Sequence, residues 1–206
     1  MNIGLILFAL GIVLMINANI GYAPWEVFHV GLANTFGLSL GITTIIAGLV
    51  IVIIVTLLGE KLGIGTICSM VLTGAFIDIF YFFRIIPVTQ SLISGIIMLI
   101  SGIALLSLGS YFYIKSAFGV GPRDNLMVVL AKRTKLPVGL CRGAIELMVT
   151  LIGWILGGMI GIGTVISVIA IGFCIQITFK LLKFDVTAIK HESLSDSLTK
   201  IRELMR

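Results

Sequence analysis

GYAPWEV, from Gly21 to Val27, and GVGPRDN, from Gly119 to Asn125, stand 98 residues apart. Along the same gapless offset GIGT at Gly63 to Thr66 lies over GIGT at Gly161 to Thr164. Gly11 falls on Gly109, Pro24 on Pro122, Ala33 on Ala131, Ser69 on Ser167 and Gly74 on Gly172. Two unrelated Gly- and Ile-rich segments would share scattered identities, but not one uninterrupted register that also aligns their prolines. A single duplicated unit therefore builds almost the whole chain. The first repeat takes residues 1–83, the stretch 84–98 holds the linker and the start of a fourth helix, and the second repeat takes 99–183. A tail, 184–206, closes the chain.

Composition places this unit in a bilayer. Of the 206 residues, 59% are hydrophobic and only 11% are charged, and the mean hydropathy is +1.22. Apolar runs approach the roughly 20 residues that span a hydrocarbon core. The reading is an all-α polytopic protein with six spans, near Asn2 to Ile20, Leu40 to Leu58, Thr66 to Phe83, Ser91 to Ile114, Val138 to Leu156 and Thr164 to Leu182. The first run has no Lys or Arg ahead of it and matches an internal helix, so it reads as a retained span and not as a cleaved signal. Cys68, Cys141 and Cys174 fall inside spans without CxxC spacing, which gives no support to a metal site or a disulfide framework. No cofactor is expected.

Between the first and second spans of each repeat lies a shorter segment, Pro24 to Phe36 and Pro122 to Thr134. Its start is written in helix-initiation chemistry. Proline at the first helical position gives up no hydrogen bond, and Glu26 or Asp124 places a carboxylate against the positive end of the helix dipole. At about 1.5 Å per residue such a segment reaches only about 20 Å, short of a roughly 30 Å core. Two alternatives stay open, a re-entrant half-helix and an amphipathic helix lying in the interface. The small-residue turns at Gly21, Gly119 and Gly121 lead into these half-helix starts at Pro24 and Pro122.

Charge decides the number of crossings. With three crossings per repeat, Lys61, Lys115, Arg123, Lys132, Arg133, Lys135 and the basic residues from Lys180 to Arg206 share one side, and Arg84 stands alone on the other. A fourth crossing would weaken that bias. The positive-inside rule then makes both termini cytoplasmic, in a bacterial inner membrane. An odd number of helices per unit makes the second copy enter the membrane upside down. The two repeats are expected to be inverted, with their short helices entering from opposite faces toward a site near the midplane.

Intramembrane polar residues are few. Asp78 lies in the body of the third span and matches Gln176, and a carboxyl there is a functional candidate or half of a buried structural contact. Arg142 and Glu146 are four apart on one helix face and can neutralise each other. Glu26 and Asp124 serve as dipole partners or, if their helices are re-entrant, as binders of a proton, a cation or an amine. Trp25 and His29 fall one turn apart, but their counterparts Arg123 and Met127 are unlike them. His29 reads as an interfacial polar residue. The GIGT turns lack the Lys and the strand of a phosphate loop, and they are expected to let Thr66 and Thr164 cap the following helices. In the tail, Leu194, Leu198, Ile201 and Met205 recur at helical spacing among charges, as in a helix resting on anionic headgroups or a partner. No nucleic-acid motif is present, and the basic bias is a topology signal.

Six apolar helices in about 200 residues, with GYAPWE followed by GVGPRD and the GIGT pair, resemble the YczE/YyaS/YitT family of bacterial integral membrane proteins. The likeness covers Gly4 to Leu182. The first copy departs from it, with Ala23 in place of glycine and Glu26 in place of aspartate. What the resemblance implies is location and architecture, without a substrate. The functional expectation is a small inverted-repeat transporter or channel for a small solute or ion. Its pathway candidates are Glu26, Asp124, Asp78, Glu146, Arg142, Gln176, Arg123 and Trp25. The alternative is a membrane accessory or scaffold protein acting with an enzyme or transporter. No catalytic constellation supports an enzyme. The partners expected are the lipid bilayer and the solute, with a homo-oligomer left open.

Overall fold

Helix-initiation signals and apolar runs leave little room for anything but helices. The computed structural model describes residues 1–60, 63–116 and 121–184. Among them there are eight helices and no strand: α1 (Asn2–Asn17), α2 (Pro24–Phe36), α3 (Leu40–Leu57), α4 (Ile64–Phe82), α5 (Leu92–Lys115), α6 (Pro122–Thr134), α7 (Val138–Ile155) and α8 (Ile162–Leu181). The short helices α2 and α6 have the bounds expected from their sequence. Lys61, Gly119 and the amphipathic tail lie outside the described residues.

Five helices, α3, α4, α5, α7 and α8, are long and apolar enough to cross a membrane. The expected first span is shorter than its apolar run. α1 stops at Asn17 because that side chain is engaged sideways, donating to Ile86 O at 2.8 Å and accepting from the Tyr81 hydroxyl at 3.1 Å. Asn19 then takes a left-handed φ of 54° and turns the chain away. Its 16 residues reach about 24 Å.

The expected threonine caps are also displaced. α4 and α8 begin two residues earlier, after Gly63 and Gly161. Thr164 sits inside the first turn and its hydroxyl accepts from the Gly161 N–H at 3.1 Å, so it caps backwards.

The centre of the fold is the crossing of α1 and α5. Glycine lets the two backbones touch: a Cβ at Gly11 would stand 2.7 Å from Gly102 O, one at Gly109 2.7 Å from Gly4 O, and one at Gly95 2.7 Å from Ala18 O. Positions rise on one helix as they fall on the other, so α1 and α5 run antiparallel. Leu5, Ile12, Met15, Leu99 and Ile103 fill the seam around them and are almost wholly buried. α1 also packs on α4, and α5 on α8. The short helices cross over, α2 lying against α7 and α6 against α3. Outward faces of α3, α5, α7 and α8 remain apolar, with Leu49, Ile53, Ile97, Leu147, Ile155 and Ile169 exposed, the surface that lipid tails cover.

One pairing is not repeated. α3 packs along α4, where Gly41 and Gly74 meet backbone to backbone. Asp78 accepts from the Ser39 hydroxyl at 2.6 Å and from the Gly41 N–H at 2.7 Å. α7 and α8, in the matching positions, are splayed. A Cβ at Gly139, Gly143 or Gly172 would meet nothing within 4 Å.

Candidate functional site

The chain enters α2 in an extended stretch that is pinned to the start of α8. Tyr22 N–H donates to Met159 O at 3.1 Å, and Gly163 N–H donates to Ile20 O at 2.7 Å. Gly21 takes φ +113° with its α-carbon pressed on Gly161, a position no side chain would fit. Ala23 stays extended, Pro24 opens the helix, and Glu26 falls in its first turn. Gly121, Pro122 and Asp124 repeat the arrangement at the start of α6.

These two helix starts line one cavity of about 450 Å³, together with residues of α1, α3, α4, α5, α7 and α8. Arg123 from α6 reaches across to α2. Its Nη1 lies 3.4 Å from Glu26 Oε1, its Nη2 lies 3.3 Å from His29 Nδ1, and its guanidinium sits 4.8 Å over the centre of the Trp25 ring. Three residues on one face of α2 thus hold one cation from α6. Glu26 is 3% exposed and His29 is 2% exposed. His29 is enclosed by protein: the packing of α2 against α7 and α3 covers it, and Thr44 Oγ1 lies 3.4 Å from its Nδ1.

Asp124 faces a different partner. Its Oδ2 accepts from the Tyr113 hydroxyl at 3.2 Å, while that hydroxyl accepts from the Gly121 N–H at 2.8 Å. None of the ion pairs among the described residues includes it. On α7, Arg142 Nε donates to Glu146 Oε1 at 2.8 Å, and both line the cavity. The charged lining thus consists of two ion pairs and one carboxylate held by a phenol.

The sequence candidates separate into two groups. Trp25, Glu26, Arg123, Asp124, Arg142 and Glu146 meet at the cavity, together with Pro24, Gly121 and Pro122. Asp78 and Gln176 do not line it. Asp78 is turned to the start of α3 because close contact of Gly41 with Gly74 puts the first N–H groups of α3 within its reach. Gln176 is exposed on α8. Sequence reading missed Tyr113, Ser110, Ser167, Thr44, Ser69 and Thr73, all of which line the cavity. The polar run SLGSYFYIK that ends α5 was a signal for Ser110 and Tyr113. Two buried polar atoms in the lining residues have no hydrogen-bond partner, Trp25 Nε1 and Ser167 Oγ.

A site of this kind can hold a small, partly apolar solute against hydroxyls, an indole N–H and a mixed set of charges. The helix starts add their positive ends, which Glu26 and Asp124 offset.

Among relatives, the chain is similar to the uncharacterized membrane protein YczE of Bacillus subtilis (strain 168), 36% identical over 175 residues, which are 84% of this chain and 80% of that one. An uncharacterized protein of Haemophilus influenzae is 31% identical over 180 residues, with 85% and 82% covered. The uncharacterized protein YyaS of B. subtilis is 28% identical over 181 residues, with 85% and 89% covered. No solved structure matches. With its long apolar helices, this likeness makes the chain a multi-pass membrane protein. A family model described as a family of unknown function, DUF6198, matches residues 1–180, and the chain belongs to that family.

Proposed function

We propose that the protein is a small inverted-repeat transporter that moves a small solute or ion by alternating access, with Glu26 and Asp124 as the proton- or cation-binding carboxylates. One observation carries this reading. The first turns of two short helices, one from each copy of the repeat, meet at a single cavity and are joined there by Arg123. Interrupted helices in matching positions of two repeats mark the substrate site of many secondary transporters.

Other features support it. The antiparallel crossing of α1 and α5, helices that match at the 98-residue offset, agrees with inversion of the second copy. Burial of Trp25, Glu26 and His29 favours re-entrant short helices, since an interfacial helix turns its polar face to water. Six crossings follow if α1 tilts little and the bilayer thins around it. Lys115, Lys132, Arg133, Lys180 and Lys183 gather at the ends of α5, α6 and α8, a face that the positive-inside rule makes cytoplasmic in a bacterial inner membrane.

The test is flux. Purified protein is reconstituted in liposomes that carry a pH-sensitive dye, and a panel of small amines, carboxylates, amino acids and alkali cations is added under an imposed pH gradient. At least one class should drive a dye signal that Glu26→Gln and Asp124→Asn abolish. A silent panel with monodisperse, inserted protein, or a signal that both variants leave intact, removes the proposal.

A further inference from the structure

The helix pairs α3–α4 and α7–α8 match at the 98-residue offset, yet the first is closed at the end away from its loop and the second is open there. At the closed end Gly41 meets Gly74, and a Cβ on Gly74 would stand 2.6 Å from Gly41 O. Asp78 fastens that end by accepting from Ser39 and Gly41. Behind it Ile77 is fully buried. The cavity reaches α4 only as far as Thr73, about one turn short of Asp78.

The open end tells the complementary story. Gly139 and Gly172 occupy the positions of Gly41 and Gly74, yet nothing lies near either of them. Glycine inside a helix costs stability, and it is explained where another backbone must come close. Here that neighbour is missing in one copy and present in the other. The cavity is bounded by both helices, with Arg142 and Glu146 of α7 and Ile171, Ile175 and Phe179 of α8 in its lining. Ile175, the match of buried Ile77, lines the cavity instead.

We propose that the crevice between α7 and α8 is the route by which a solute reaches the cavity, and that Asp78 is the latch of the opposite gate. Release of Asp78 from Ser39 and Gly41 lets α3 and α4 part, while α7 closes on α8 through Gly139 and Gly172. In that second state the Gln176 side-chain oxygen takes the Gly139 N–H, as Asp78 takes that of Gly41. The chemistry of the two latches explains which state is seen. A carboxylate accepting two hydrogen bonds holds more firmly than a carboxamide, and Pro137 stands where Ser39 supplies its hydroxyl. The inference rests on the transporter reading and assigns its gates.

Disulfide trapping tests it without any substrate. In a background with Cys68, Cys141 and Cys174 replaced by Ala, Gly139→Cys and Gly172→Cys are combined, the protein is reconstituted in liposomes, and oxidant is added. The cross-linked fraction should exceed that of either single cysteine, and Asp78→Asn should raise its rate severalfold. Ser39→Ala, which removes one donor and leaves the carboxylate, should raise it less and serves if the Asp78 variant does not fold. Cross-linking no greater than in the single-cysteine controls, or rates indifferent to both latch variants, overturns the gate assignment. Failure is separable from that of the transporter reading: latch-dependent cross-linking in a protein with no flux keeps the gate and removes transport, and flux without cross-linking does the reverse.

Discussion

Arg123→Leu probes the contact on which the site depends. The substitution keeps the α6 backbone and removes the cation that faces Glu26, His29 and Trp25. Glu26, 3% exposed, is then a buried carboxylate whose one described cationic partner is gone. Breaking a buried pair from one side costs about 3–5 kcal/mol, and loss of the stack on Trp25 adds about 0.5–2 kcal/mol. At about 2–4 °C per kcal/mol for a chain of this size, the unfolding midpoint should fall by roughly 7–28 °C. Glu26→Gln should cost less, since Arg123 keeps His29, Trp25 and access to the cavity. Both changes together remove the charge from each side, so their combined cost should fall short of the sum by about 2 kcal/mol or more. Thermal unfolding of the four proteins in one detergent gives the cycle. Effects that add to within about 0.5 kcal/mol would mean that the two residues do not meet, and the convergence of α2 and α6 would fall with them.

Other perturbations separate close packing from open space with the same assay. Gly11→Leu drives a side chain into the backbone of Gly102 and Leu106, and should cost more than about 4 kcal/mol or yield no monodisperse protein. Gly172→Ala, with nothing within 4 Å, should change stability by no more than about 1 kcal/mol and in the favourable direction. Arg142→Gln should cost less than Arg123→Leu, because the Arg142–Glu146 side chains are 38% and 13% exposed against 22% and 4% for Arg123–Glu26. Ser167→Ala removes a buried hydroxyl with no partner, and should leave the midpoint unchanged or raise it by the equivalent of about 1 kcal/mol.

Several features were legible because they are local. Pro24 and Pro122 open helices whose bounds the structure repeats, since a ring-locked φ and a missing N–H act on the residue that carries them. The Arg142–Glu146 pair follows from helical spacing. His29 shows the opposite case. A histidine one turn from a tryptophan on a short helix reads as interfacial, and nothing in its neighbourhood says that α7 and α3 will cover it. Asp78 was legible as a costly carboxyl inside a span, but its partners are the first residues of another helix.

By itself, the sequence determined membrane residence, the 98-residue register of matched positions and the starts of the two proline-led helices, because hydropathy and backbone chemistry are written residue by residue. Only the tertiary structure decided that Arg123 is held by the other half, that Tyr113 faces Asp124, and that one hairpin is closed while its twin is open. Those outcomes depend on which surfaces meet. Matching glycines allow close approach in both copies, and the rest of the packing selects the copy in which it happens.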